Sequence, residues 1–168
     1  MISYHKANLE ELEQLWNYNI SQNPEDPRYL HWKEQFIRDN ASGAAATIVI
    51  SINGECVGEG TLLLSPDCRA IRGRTCLCDG KNVANINALR IQKACEGQGH
   101  ISALMTAIEQ YAASLGIRTL TIGVEAAETR NLGIYLHWGF DQFLMHEIED
   151  GALVLYFAKS LSEDKYRI

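Results

Sequence analysis

The stretch Gln92-Lys93-Ala94-Cys95-Glu96-Gly97-Gln98-Gly99-His100-Ile101-Ser102-Ala103-Leu104-Met105 sets two glycines, one residue apart, directly before the strongest helical pattern in the chain. Ile101, Leu104, Met105, Ile108, Tyr111, Ala112 and Leu115 recur at steps of three and four, the apolar stripe of an amphipathic helix. Just upstream, Val83 to Ile91 reads as a strand. A strand, a glycine turn and a buried helix make an anion site. The N–H groups of the turn and of the first helical turn have no intrahelical acceptor, and the helix dipole adds a positive end. Gly97 and Gly99 lack Cβ, so a phosphate can approach their backbone closely. The pattern points to a phosphate-bearing cofactor.

Working outward, Ile2 to Lys6 is a short strand candidate, and Asn8 with Glu11 three residues on is a capping pair for a helix whose face is Leu9, Leu12, Trp16 and Ile20. Asp26-Pro27 opens a second helix with Pro at its first position; Tyr29, Trp32, Phe36 and Ile37 form its stripe, and Asn40 to Gly43 ends it. Ala46 to Ile52 and Cys56 to Leu64 are strands joined by the hairpin signal Asn53-Gly54. Ser65 to Lys81 reads as a polar loop. Within Val83 to Ile91 the apolar residues change phase: Ile86 and Ala88 share one face, Leu89 and Ile91 the other. That switch predicts a bulge, or a strand covered on both faces. The long helix closes at Gly116, and Leu120, Ile122 and Val124 alternate along the next strand. Glu128 to Trp138 is a shorter helix, Phe140 to Ile148 and Ala152 to Lys159 are strands around Glu149-Asp150-Gly151, and Ser160 to Ile168 is a polar tail. The order predicts an α/β fold, a mixed sheet flanked by helices, with residues 1–168 as a single domain.

A chain of 168 residues suits one sizeable core. No apolar run approaches the ~20 residues that span a bilayer, and polar residues interrupt Met1 to Leu9 throughout, which gives no signal-peptide pattern. A cytoplasmic location is the expectation. The net charge of −6 disfavours nucleic-acid binding and is compatible with a cationic substrate such as an amine. Cys56, Cys68, Cys76, Cys78 and Cys95 are odd in number and irregularly spaced, unlike a disulfide framework. Cys68, Cys76 and Cys78 lack a suitably spaced fourth ligand, so no metal is expected.

The element order, taken with two motifs, resembles the GNAT acetyltransferase superfamily. The first motif is Glu96-Gly97-Gln98-Gly99-His100-Ile101, standing where the family has Arg/Gln-x-x-Gly-x-Gly/Ala. The second is Tyr135-Leu136-His137-Trp138-Gly139-Phe140, which is similar to the family's Tyr-x-x-x-Gly-Phe. About 35 residues separate Gly99 from Tyr135, room for helix, strand and helix. The resemblance implies a GNAT-like, mostly antiparallel sheet with a splayed central strand and acetyl-CoA as cofactor. It implies that backbone groups of Leu89 and Ile91 pair with the pantetheine arm. The N–H groups of Gly97, Gln98, Gly99, His100, Ile101 and Ser102 would hold the pyrophosphate, and Asn131 lies in the second motif's helix. Glu96 replaces the usual Arg or Gln, Ile101 the final small residue, and Asn131 stands where many members have Ala. A carboxylate at Glu96 is unfavourable beside a pyrophosphate unless it points away.

Acetyl transfer needs a neutral amine, a donor to the oxyanion and a proton for the leaving thiolate. The resemblance makes Tyr135 the general acid. Read from its neighbours alone, it is a packing tyrosine beside Trp138 and Phe140. A backbone N–H near Ile91 is the candidate oxyanion donor. Members that use a carboxylate base often carry it near positions 85 to 87, here Asn85, Ile86 and Asn87. Neither amide is a base, which leaves Glu125, His137 and His146 as alternatives. The aromatic residues of the first two helices read as core, or as lining for the acceptor. The resemblance implies an N-acetyltransferase acting by direct transfer to a primary amine, expected to be that of a small molecule such as an amino acid, polyamine or antibiotic, with a protein N-terminus or lysine as the alternative. Homodimers are common in the family. Two other readings stay open: a non-catalytic acyl-CoA-binding sensor, and a dinucleotide-binding protein, in which Ser102 replaces the third glycine and Glu125 is the ribose-binding acid.

Overall fold

Asn8 and Glu11 start the first helix as the sequence predicts. Asn8 Oδ1 accepts the Glu11 N–H at 2.9 Å, and Glu11 Oε1 accepts the Asn8 N–H at 3.4 Å, a reciprocal cap for two otherwise unpaired donors. In the computed structural model, which describes residues 1–161, the chain runs β1 (Ile2–Lys6), α1 (Leu9–Gln22), α2 (Arg28–Ser42), β2 (Ala45–Ile52), β3 (Glu55–Leu63) and β4 (Val83–Ile91). A 3-10 turn (Lys93–Cys95), α3 (His100–Ser114), β5 (Thr119–Glu125), α4 (Thr129–His137), β6 (Gln142–Glu149) and β7 (Ala152–Ser160) follow. The polar tail lies outside the described residues from 162 onward.

The strands form one seven-stranded sheet in the order β1-β2-β3-β4-β5-β7-β6. Every neighbouring pair is antiparallel except β4 and β5. Asn53-Gly54 and Asp150-Gly151 turn the two tight hairpins with φ of 52° and 85°, and 50° and 80°. Positive φ at both turn residues matches the strand twist, which is why Asn-Gly and Asp-Gly serve there. The β4–β5 pair is parallel and needs a crossover, which α3 supplies. Leu104, Met105, Ile108 and Ala112 of α3 pack on Ile50, Leu62, Ile86 and Ile122 from the sheet. On the other face, Leu15 of α1 packs with Val49 and Cys56, and Trp16 stacks on Phe36 of α2 at 5.0 Å.

The β4–β5 ladder is short. It holds Val83↔Thr119, Ala84↔Leu120, Asn85↔Thr121 and Ile86↔Ile122, while β4 runs on to Ile91 and β5 to Glu125. Where the parallel ladder stops, β4 carries its bulge. Its pairing with β3 passes from Asn87↔Thr61 to Arg90↔Glu59, one residue more on β4 than on β3, and Ala88 has φ 55°. The change of apolar phase between Ala88 and Leu89 is this bulge. The extra residue twists β4 away from its register, and the β4–β5 ladder ends just before it.

Four readings are corrected. Residues 65–81 do not form a merely polar loop: Cys68, Ile71, Leu77 and Cys78 are buried against Leu63 and Tyr156 as a second small core. Pro27 occupies the N-cap of α2, and Arg28 is its first residue. The strand expected from Phe140 begins at Gln142, because Phe140 is fully buried in the main core. A single parallel pair also overturns the dinucleotide-binding reading, which needs a parallel sheet.

Asn85 is engaged in this architecture and is not open to substrate. Its Nδ2 donates to Thr121 Oγ1 at 2.9 Å, and that hydroxyl donates to the Leu77 carbonyl at 2.7 Å. The chain ties β4 and β5 to the 65–81 segment where the two strands are still paired. Thr121→Val keeps the shape and removes both bonds, leaving a buried amide and a buried carbonyl without this partner. We expect a loss of about 1–3 kcal/mol, seen as a lower urea midpoint at unchanged m-value. An unchanged midpoint would show that the network does not hold the strands.

Candidate active site

The parting of β4 and β5 opens a cavity of about 960 Å³. Beyond Ile86 and Ile122 the facing backbone edges of the two strands no longer pair with each other. N–H and C=O groups that leave a ladder need another polar partner. A slender chain with amide groups, such as pantetheine, fits that requirement. The glycine turn stands at one end of the cavity. Gly97 and Gly99 have φ of 76° and 82°, a backbone that residues with a side chain rarely adopt. A Cβ placed on either would meet no protein atom within 4 Å, so the space beside them is not filled by the fold. His100, Ile101 and Ser102 open α3, and their N–H groups lie in its first turn, where no helical acceptor exists. These features fit a diphosphate.

The cavity brings together all the predicted site residues except Gln98. The Gln98 side chain meets His100 Nε2 at 3.3 Å. His100 is buried, and its Nδ1 pairs with the Tyr4 hydroxyl at 2.9 Å, tying the turn to β1. Ile101 packs against the main core, so its bulk faces inward. Glu96 is exposed. Asn131 lines the cavity, and its Nδ2 donates to Glu128 Oε2 at 2.7 Å.

Tyr135 also lines this cavity, 5.9 Å from Trp138 between ring centroids. Burial, with the Glu128 charge adding to it, raises the phenol above its ordinary value. A phenol held in its protonated form has a proton to give. Of the alternative bases, His137 lines the cavity. Glu125 ends β5 exposed and faces Val154, and His146 is exposed on β6 and stacked on Phe143. Neither of these two lines the cavity.

Sequence reasoning missed a carboxylate in the same wall. Glu59 of β3 is 1% exposed and lines the cavity. It stands opposite Arg90 in the β3–β4 register, beside the bulge. Asn19 Nδ2 of α1 donates to its Oε1 at 3.4 Å, and Arg90 Nη1 lies 3.6 Å from the same oxygen. Burial pushes the carboxyl up to about 7, against the opposing pull of Arg90 and Asn19. The Arg90 guanidinium sits 5.0 Å from the Trp16 ring and 5.7 Å from that of Tyr29. The signal was present: Cys56-Val57-Gly58-Glu59-Gly60-Thr61-Leu62-Leu63 holds one charge in an otherwise apolar and small-residue strand. Cys56, Cys68 and Cys78 are buried, with the Cys68 and Cys78 thiols donating to the Ala44 and Leu63 carbonyls at 3.4 Å.

Among curated proteins none matches the sequence. Solved structures do resemble the fold. The chimera of the Vibrio cholerae spermidine N-acetyltransferase SpeG and hSSAT has a TM-score of 0.72 at 14% identity, covering 99% of each chain. The acetyltransferase yncA from Salmonella typhimurium, solved with its cofactor acetyl-CoA, has a TM-score of 0.70 at 12% identity, covering 97% of this chain and 95% of that one. The ribosomal-protein-alanine N-acetyltransferase from Brucella melitensis has a TM-score of 0.69 at 13% identity, covering 94% and 99%. At such identities the likeness is one of fold. The sequence profile of the Acetyltransferase (GNAT) family matches residues 7–140, which takes in the bulged β4, the glycine turn and Tyr135. The chain belongs to the GNAT acetyltransferase family, whose members use acetyl-CoA.

Proposed function

We propose that the protein is an N-acetyltransferase that moves the acetyl group of acetyl-CoA directly to a primary amine of a small molecule in the cytoplasm. One observation carries this reading. A single cavity is bounded by the unpaired edge of β4, the glycine turn and Tyr135. Leu89 and Ile91 offer backbone groups to the pantetheine, and residues 97–102 offer N–H groups to the diphosphate. Asn131 stands at the first turn of α4, on the opposite wall. Acetyl-CoA, when bound, supplies an activated acetyl thioester. Tyr135 holds a proton for the departing sulfur, and a β4 N–H near Ile91 donates to the carbonyl oxygen as charge develops there. Among the described residues no helix is long and apolar enough to cross a membrane.

Titration calorimetry with acetyl-CoA, with NADH as a control, tests the cofactor. Product mass over a panel of free amino acids, spermidine, putrescine and a peptide with an N-terminal alanine tests the acceptor. We expect micromolar binding of acetyl-CoA alone and acetylation of at least one amine. Binding without any turnover would select the sensor reading instead. Tyr135→Phe should keep acetyl-CoA affinity and lower kcat by about 10²–10⁴-fold, the usual worth of a positioned acid. An unchanged kcat would return Tyr135 to a packing role. Gly99→Ala must carry about 1–2 kcal/mol of left-handed strain or abandon the turn. We expect acetyl-CoA to bind about tenfold more weakly, a difference of about 1.4 kcal/mol; unchanged affinity would remove the turn from the binding site.

A further inference from the structure

Glu59 and Arg90 are the one charged pair of the cavity wall that the reading above does not use. Glu59 Oε2 and Arg90 Nη1 are both buried, and neither has a hydrogen-bond partner. Arg90 Nη1 stands 3.6 Å from the other carboxylate oxygen, Oε1, an ion-pair distance beyond a good hydrogen bond. A buried, unsatisfied carboxylate oxygen is costly in a folded protein. Here it sits beside the bulge where the strands part, in the wall of the same cavity as Tyr135.

We infer that Glu59 is the proton acceptor for the incoming amine and that Arg90 is the residue that positions and tunes it, so that the acceptor is an amine that arrives as an ammonium ion. The inference rests on the transferase reading above. The ammonium passes one proton to Glu59, directly or through one water, and Glu59 releases it to solvent. The neutral nitrogen then bonds to the acetyl carbon as the carbon–sulfur bond breaks. Tyr135 gives its proton to the departing sulfur, and the second nitrogen-bound proton, passed through water, restores the Tyr135 phenol. The products are an amide and a thiol, with one proton released.

The groups around Glu59 set its behaviour. Arg90 faces it from β4 and Asn19 from α1, while Tyr29 of α2 faces Arg90. Along its own strand stands Cys56, whose thiol donates to Glu11 of α1 at 3.4 Å. Val49 of β2, opposite in register, is apolar. The carboxyl therefore ionises around neutral pH, with burial raising it and the Arg90 cation and the Asn19 amide opposing that rise. Below that point it is protonated and cannot take a proton; above it, it can.

The test uses the full chain, acetyl-CoA, and spermidine or L-lysine as acceptor, since a lysine-type amine titrates at about 10 and any limb near 7 then belongs to the protein. Wild-type kcat/KM should rise with pH through about 7. Glu59→Gln should keep acetyl-CoA affinity, lower kcat by about 10²–10⁴-fold, and move the limb to the amine's own pKa. Arg90→Gln should move the wild-type limb upward, since the cation that favours the ionised carboxyl is gone. Stability gives a readout that needs no substrate. The folded pKa is raised, so Glu59's contribution is fully present below its ordinary 4.5 and is lost as pH rises through about 7. The melting temperature of Glu59→Gln should match wild type at pH 4.5 and exceed it at pH 8. Should Glu59→Gln fail to fold, Glu59→Asp and the wild-type profile decide: a flat wild-type profile between pH 6 and 8 overturns the assignment. Glu59→Gln with wild-type rate and limb overturns Glu59 alone and leaves the transferase standing. A wild-type protein that binds no acetyl-CoA, or acetylates none of the amines, overturns both.

Discussion

Backbone N–H and C=O groups that leave a sheet ladder need another polar partner, and the end of the β4–β5 ladder at Ile86 and Ile122 leaves two strand edges to which that rule applies. An ordinary sheet would continue the ladder to the ends of both strands. Here the bulge at Ala88 breaks the register, and the core holds the parting in place. Asn85, Thr121 and Leu77 lock the strands together on the paired side. Leu89 and Ile91 pack against the main core on the open side. The opening is therefore held by packing as well as by backbone, and it gives an extended, amide-bearing ligand a ready-made partner surface.

The two faces of the sheet divide the work. The α3 face carries the main core and places the glycine turn at the helix N-terminus, where backbone donors and dipole favour an anion. The α1–α2 face carries Trp16, Tyr29 and Asn19 around the Arg90–Glu59 pair. The cavity is lined from both sets of elements, by Leu15 and Asn19 of α1 as well as by the glycine turn and the start of α3. The low-dielectric wall makes the charge on Glu59 sensitive to small changes in its neighbours.

Much of this was legible in the sequence because it rests on local rules. The Asn8–Glu11 cap, the Asn53-Gly54 and Asp150-Gly151 turns and the α3 stripe each follow from a few adjacent residues. The bulge was visible as a change of apolar phase between Ala88 and Leu89. Contacts distant in sequence were not legible. His100 is held by Tyr4, from the far end of the chain, and nothing beside it in the sequence shows that pairing. The 65–81 segment looked polar because its buried residues follow no strand or helix period and pack on Tyr156 from the last strand. Glu59 lay one strand from where a carboxylate was sought. Only the β3–β4 register, shifted by the bulge, sets it opposite Arg90.

The central claim is that the parted edges of β4 and β5 and the glycine turn together receive acetyl-CoA. Backbone amide NMR of the labelled protein during titration with acetyl-CoA tests it most directly. The account predicts saturable shifts concentrated at residues 87–91, 97–102 and 123–125, with slowed hydrogen exchange at the β4 amides as they gain partners. Saturable shifts confined to other surfaces, or β4 amides that keep their free-state shifts and exchange rates at saturation, would contradict it.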